Sequence, residues 1–305
     1  MTDVILHHFD ISPFAEKIRL VFGLKNLSWS SVQIPLIMPK PDLTALTGGY
    51  RKTPVMQIGA DIYCDTQCIA LELERRFPEP TLFPGSSKAL SLALSSWSDI
   101  AFFQPGAGLS MGTNEGLPED LLSDRMQFFE FMDFAQLPDQ LPHLYAQFGA
   151  HIQRVEQMLS DGRRFVLGEL PGWADILAYF PIWMSHGNIP NSAELFVGLD
   201  ALALWQARLE GMGHGPRCEL SVAEAHRQAA NAEPEESCGV DSSCYPKLAA
   251  GQQVRIAPSD YGKDPVVGEL LSLNHESVSV LRETNRFGNL AVHFPRTGYS
   301  VEAVE

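Results

Sequence analysis

The chain has no long apolar run, no excess of basic charge and no framework of paired cysteines, and each absence removes a class of function. No stretch approaches the roughly 18 to 20 apolar residues that a membrane-spanning helix requires. Lys and Arg number 22 against 37 Asp and Glu, a net charge of −15, so nucleic acid, which is held chiefly through cationic contacts to phosphate, is not an expected partner. The imbalance is local: residues 86–246 hold 8 basic and 21 acidic side chains, which is −13 of the −15. Such a surface reads as a solvated acidic helical face. The 5 cysteines are odd in number and irregularly spaced, which points to reduced thiols in a cytoplasmic setting. Met1-Thr2-Asp3 leads into a short strand without a basic and apolar leader pattern. Cys64 and Cys68 flank a helix start with no third ligand nearby, so they read as small buried hydrophobes and no metal site is expected. Cys238 and Cys244 are the thiols more open to oxidation.

What is present is a chain of 305 residues, long enough for two or three units. Val4–Phe9 reads as a strand and Asp10-Ile11-Ser12-Pro13 as the turn after it, with Pro13 at the first position of a helix that runs to Leu24. Phe14, Ile18, Val21 and Phe22 recur at helical spacing there. A second strand is expected near Ser28–Ile34, then a proline-rich irregular stretch, then short strands at Val55–Ile58 and Ile62–Cys64. A helix opens at Asp65. This order describes a small α/β unit with a mixed sheet. Residues 88–230 read helical, with marked helices near Leu141–Leu159 and from Trp173 to about Ser185. Asp175, three residues after Gly172, takes the place of a capping-box acid, but with glycine at the cap only half of the reciprocal pair can form. Residues 231–246 form a polar linker. Beyond it, alternation at Val254/Ile256, Val278/Val280 and Leu290/Val292/Phe294 predicts four or five short strands of a small antiparallel barrel.

Three points in the first unit can converge on one cleft. Ser12-Pro13 follows the first strand, Thr53-Pro54 precedes the third, and Asp65-Thr66 opens a helix. A serine hydroxyl, a backbone edge beside a proline and a helix N-terminus next to a carboxylate suit a small anionic thiol peptide. Each residue also has a plainer role, since Ser12 and Asp65 are good helix caps and Lys52 can be a solvated surface cation.

The run Ser12-Pro13-Phe14-Ala15-Glu16-Lys17-Ile18-Arg19, then Lys52-Thr53-Pro54-Val55-Met56, Asp65-Thr66-Gln67-Cys68-Ile69-Ala70, and Phe165-Val166-Leu167-Gly168 through Ala174-Asp175-Ile176 together resemble the glutathione S-transferase superfamily. The resemblance covers residues 3–230 and implies a thioredoxin-like glutathione-binding domain over 1–82 and an all-α domain over 88–230. The linker 231–246 and a small all-β, barrel-like domain over 247–305 follow. It implies that Ser12 activates the thiol, as in serine-type members. Thr53, before a cis Pro54, would offer its backbone to the cysteinyl part, Asp65-Thr66 would hold the γ-glutamyl end, and Lys52 would contact the peptide. Phe9 stands where tyrosine-type members carry a phenol, which removes that variant. Ser12-Pro13-Phe14-Ala15 is also similar to the omega-class turn with serine in place of cysteine, and a serine forms no mixed disulfide; glutathione-dependent reduction would fall to Cys64. Trp97, Phe102 and Phe103 lie where the family builds its electrophile pocket.

Two functions follow as expectations. One is a homodimeric, cytoplasmic detoxification enzyme that uses glutathione as co-substrate and adds its thiolate to an electrophilic small molecule. The other is a non-catalytic binding protein of the same fold whose C-terminal β-domain docks a partner through Arg286, His293 and Arg296, unless that domain only packs on the helical one.

Overall fold

A computed structural model of the chain describes residues 3–237, 239–245 and 247–304; Cys238 lies outside them. The chain divides into two compact units. One holds residues 1–15, 28–72 and 216–305, and the other holds residues 16–27 and 73–215.

The first unit is built on a mixed sheet. β1 (Ile5–His8) and β2 (Trp29–Gln33) run parallel and are linked through α1 (Pro13–Leu24). β3 (Val55–Ile58) pairs antiparallel with β1, and β4 (Asp61–Cys64) antiparallel with β3. All four residues of β1 are buried, as in a central strand covered on both faces. That forces partners on its two histidines. His7 Nε2 donates to Gln57 Oε1 at 2.9 Å, and His8 Nε2 lies 3.1 Å from Ser31 Oγ. The proline-rich stretch expected to be irregular contains α2 (Pro41–Thr47), with Pro41 at its first position, where the missing N–H costs no helical bond. α2 ends at Gly48, whose φ of 81° is the left-handed region that favours glycine. α3 spans Thr66–Arg76.

Residues 247–305 extend this sheet. β6 (Gln253–Pro258), β7 (Val266–Leu273), β8 (Ser277–Thr284), β9 (Gly288–Pro295) and β10 (Tyr299–Ala303) form an antiparallel set in the order β10-β6-β7-β8-β9. β9 then pairs in parallel with β4, Tyr63 against His293. Those two rings stack at 4.6 Å, and His293 Nε2 is 2.8 Å from Asp61 Oδ1. One hydrophobic cluster joins Val55, Ile62 and Cys64 to Val254, Ile256, Val280, Val292 and Phe294. The C-terminal strands therefore share a core with the thioredoxin-like strands. The side chains expected to meet a partner have partners within the chain. Arg286 lies 2.8 Å from His226 Nδ1, His293 is held by Asp61, and Arg296 donates to the Tyr299 carbonyl at 3.2 Å. β8 also anchors α2, because Arg282 donates to the Leu46 carbonyl at 3.0 Å.

Residues 216–230, read from sequence as the end of the helical segment, sit with the sheet. β5 (Arg217–Glu219) pairs with β2, and α10 (Val222–Ala230) places Ala225 against Ile5 and Val32. Gln57 reaches across to donate to the Ala225 carbonyl at 2.8 Å. Ser221 caps α10 through the Glu224 amide, which gives its alanine-rich first turn a firm start.

In the second unit α4 (Lys88–Ser96) passes through a widened turn at Trp97–Phe102 into α5 (Phe103–Thr113). α6 (Glu119–Phe128), α7 (Leu137–Leu159), α8 (Trp173–Asn188) and α9 (Asp200–Glu210) follow. α8 is buried from Trp173 through Ile182, as its apolar sequence requires. Asp175 accepts from the amides of Gly172 and Val166 at 3.0 and 2.7 Å and from Trp205 Nε1 at 2.8 Å. The half capping box thus forms, and the second carboxylate oxygen ties α8 to α9 and to the loop before it. No helix among the described residues is long and apolar enough to cross a membrane.

Candidate functional site

Strand register brings the three candidate segments together. His7 of β1 pairs with Val55 of β3, and Val55 with Cys64 of β4. The segment after β1, the segment before β3 and the segment after β4 therefore leave the sheet at the same end. They carry Ser12, Thr53-Pro54 and Asp65-Thr66.

Ser12 is buried, and its Oγ accepts from the Ala15 amide at 3.2 Å, the geometry of a cap on α1. This bond uses an oxygen lone pair and leaves the hydroxyl hydrogen to donate elsewhere. The Thr53–Pro54 peptide is cis. Thr53 Oγ1 accepts from Lys40 Nζ at 3.3 Å, and Lys40 also donates to the Arg51 carbonyl at 3.3 Å. Lys40 is buried and lies over the Phe9 ring at 5.5 Å. It is a cation at this end of the sheet that sequence reasoning passed over, because the proline-rich segment around it carried no pattern.

Asp65 has a φ of 79°, an uncommon conformation for a residue with a side chain. It starts α3, with Oδ1 accepting from the Gln67 amide at 2.9 Å. Its other oxygen lies 3.1 Å from the hydroxyl of Tyr299 on β10, and that hydroxyl is 3.2 Å from the hydroxyl of Tyr50. A carboxylate only accepts, so Tyr299 gives its single proton to Asp65 and receives the Tyr50 proton. Burial raises both phenols well above their usual range, with the Asp65 charge adding to the effect; both remain protonated donors. Thr66 is buried, and Gln67 donates to Thr297 Oγ1 at 3.2 Å.

Lys52 Nζ lies 2.6 Å from Asp260 Oδ1 and 4.0 Å from the centre of the Tyr261 ring. The cation expected to contact a ligand is thus engaged by the turn after β6. Tyr50, Asp260 and Tyr299 were all missed from sequence. The approach of Asp260 and Tyr299 depends on the β4–β9 pairing, which joins segments more than 220 residues apart, and no local spacing announces it.

Cys64 and Cys68 are buried, and burial pushes both thiols well above their usual range, so neither supplies a thiolate for reduction. Asp241, Cys244 and His275 each offer a ligand atom within 4.8 Å of the others. Cys244 donates to Asp241 Oδ2 at 3.5 Å, and its thiol is raised by desolvation and by that carboxylate. In the helical unit Phe102 and Phe103 are buried against Phe148 and Phe180, and Trp97 Nε1 donates to His151 Nδ1 at 3.0 Å. A groove of about 270 Å³ in the same unit is lined by Ile100, Gln104, Pro105, Gln140, His143 and Gln147 among others.

Residues 6–81 match the family model for the glutathione S-transferase N-terminal domain. A solved structure of a GST-like protein from Pseudomonas syringae is 37% identical, covers 100% of both chains and superposes with a TM-score of 0.80. The chain belongs to the glutathione S-transferase superfamily. The match to the Pseudomonas protein runs through the C-terminal strands. A glutathione S-transferase from Rhodospirillum rubrum matches 68% of this chain and 87% of its own, at 21% identity and a TM-score of 0.52. A glutathione S-transferase of Ceriporiopsis subvermispora, solved in complex with glutathione, matches 69% of this chain and 97% of its own, at 15% identity and a TM-score of 0.57. These two show the fold. A search among curated proteins gave no match.

Proposed function

We propose that the protein binds glutathione at the end of the sheet formed by Ser12, Thr53-Pro54 and Asp65-Thr66 and adds its thiolate to an electrophilic small molecule. The observation that carries this reading is the His7–Val55–Cys64 register, which gathers a serine hydroxyl, a cis-proline backbone edge and a carboxylate at a helix start. The glutathione complex of the Ceriporiopsis enzyme supports the choice of ligand. In this reading the Thr53 backbone pairs with the cysteinyl part of the peptide, and Asp65 pairs with the γ-glutamyl ammonium. Lys52 contributes charge beside the site while held by Asp260.

The thiol is activated by hydrogen bonding. A free cysteinyl thiol titrates near 8.5, which leaves a few per cent thiolate at neutral pH. A hydroxyl that donates to the charged sulfur is worth about 1.5–3 kcal/mol, or roughly 1–2 pKa units at 1.36 kcal/mol each. The Ala15 amide bonded to Ser12 Oγ polarises the hydroxyl further. Ser12→Ala should therefore lower turnover with a chlorodinitrobenzene-type electrophile at least tenfold at pH 6.5, and less at pH 9. Unchanged turnover would remove Ser12 from the chemistry. The same reading makes the protein a cytoplasmic homodimer.

A non-catalytic glutathione-binding protein is the second reading, in which Ser12 serves only as the cap of α1. Glutathione binding without turnover of any electrophile in a broad panel would select it.

A further inference from the structure

We infer that the C-terminal strands complete the ligand site, with Tyr299 as the residue that positions Asp65 for the ammonium of the bound peptide. The inference rests on the glutathione reading above and extends it to residues outside the segments that carry the family resemblance.

Three contacts tie the segment from β6 to β10 to the candidate site. Tyr299 reaches Asp65 at 3.1 Å, Gln67 reaches Thr297 at 3.2 Å, and Asp260 holds Lys52 at 2.6 Å. The geometry of the first is that of a support. Tyr299 is buried, its ring is 5.4 Å from that of Phe294, and its hydroxyl lies 3.2 Å from that of the buried Tyr50. A side chain packed in that way has one place for its proton. Asp65, by contrast, is half-buried and sits in a left-handed backbone conformation that alone does not fix χ1. One oxygen is committed to the Gln67 amide and the other to Tyr299. A carboxylate carries about four acceptor sites, so two bonds orient the group and leave lone pairs for a ligand cation. Pre-organisation of this kind favours binding because the side chain loses no freedom when the ligand arrives. The Asp260 contact complements it. It fixes Lys52 by a contact from the turn after β6.

The test uses the full chain and calorimetric titration with glutathione and with N-acetylglutathione, which lacks the ammonium. The wild-type protein should prefer glutathione at least tenfold. Tyr299→Phe keeps the ring and should weaken glutathione fivefold or more while leaving N-acetylglutathione unchanged. It should add no further loss in an Asp65→Asn background, and Tyr50→Phe should produce a smaller loss of the same selectivity. Wild-type affinity for glutathione in Tyr299→Phe would overturn the positioning role and leave the glutathione reading standing. Equal weakening of both ligands would mark a merely structural role, and tighter glutathione binding would show that the phenol competes with the ammonium; either overturns the inference. If the wild-type protein binds no glutathione, the functional reading and this inference fall together.

Discussion

Phe294→Ala should loosen strands far from it in sequence. Phe294 is fully buried on β9, with ring centres 5.8 Å from Tyr50 and 5.4 Å from Tyr299. Truncating a buried phenylalanine removes its transfer free energy and leaves a cavity, together about 3–5 kcal/mol. The two aromatic pairs lie in the range where each adds about 0.5–1.5 kcal/mol, which favours the upper end. The consequence for architecture matters more than the size. Phe294 belongs to the cluster that contains Val55, Ile62 and Cys64, and β9 is bonded to β4. Hydrogen exchange read by mass spectrometry should therefore show faster opening in peptides over 55–64 as well as in 253–303, and the urea midpoint should fall for both. If the substitution accelerates exchange only within 247–305, the C-terminal strands are an independent module and the shared-core account is wrong.

Other substitutions probe single contacts. His7 is fully buried, and desolvation lowers its pKa to about 4 from 6.5. The folded state thus binds fewer protons, and stability is lost as pH falls from 6.5 toward 4. At 1.36 kcal/mol per unit the full loss is about 3 kcal/mol, and His7→Leu should flatten that limb in urea titrations run between pH 7 and 4. Burial raises Asp175 to about 6, so its contribution runs the other way and diminishes as pH rises from 4 to 6. Asp175→Ala strands the Val166 amide and Trp205 Nε1 and should cost roughly 3 kcal/mol or more, read as a lower thermal midpoint; a change under 0.5 kcal/mol would contradict the hydrogen-bond assignment. Gly48→Ala places a methyl group against the Arg282 guanidinium at a positive φ, and it should destabilise by more than 1 kcal/mol, where an unchanged urea midpoint would deny the close approach.

Local chemistry carried much of the fold. The Ser12-Pro13 turn, the α1 span to Leu24, the short β3–β4 hairpin and the buried α8 are all written in turn residues and apolar spacing close to the elements themselves. The sequence conceals α2 because Pro35, Pro39 and Pro41 read as breakers, although proline at the first helical position breaks nothing. β5 and α10 look like a continuation of the helical segment because three exposed residues, Arg217–Glu219, carry no alternation, and the strand character of those three comes from pairing with β2. The same limit applies to the site. Ser12, Thr53 and Asp65 announce themselves through neighbouring proline, threonine and helix-start signals. Asp260 and Tyr299 reach the site only through strand pairing between distant segments, and alternation reveals which face a side chain takes but not which strand lies beside it.

The most direct measurement is calorimetric titration of glutathione into the wild-type protein and into Asp65→Ala. The account predicts saturable binding that weakens at least tenfold in the variant, a loss of about 1.4 kcal/mol. Absence of wild-type binding at millimolar glutathione would contradict it.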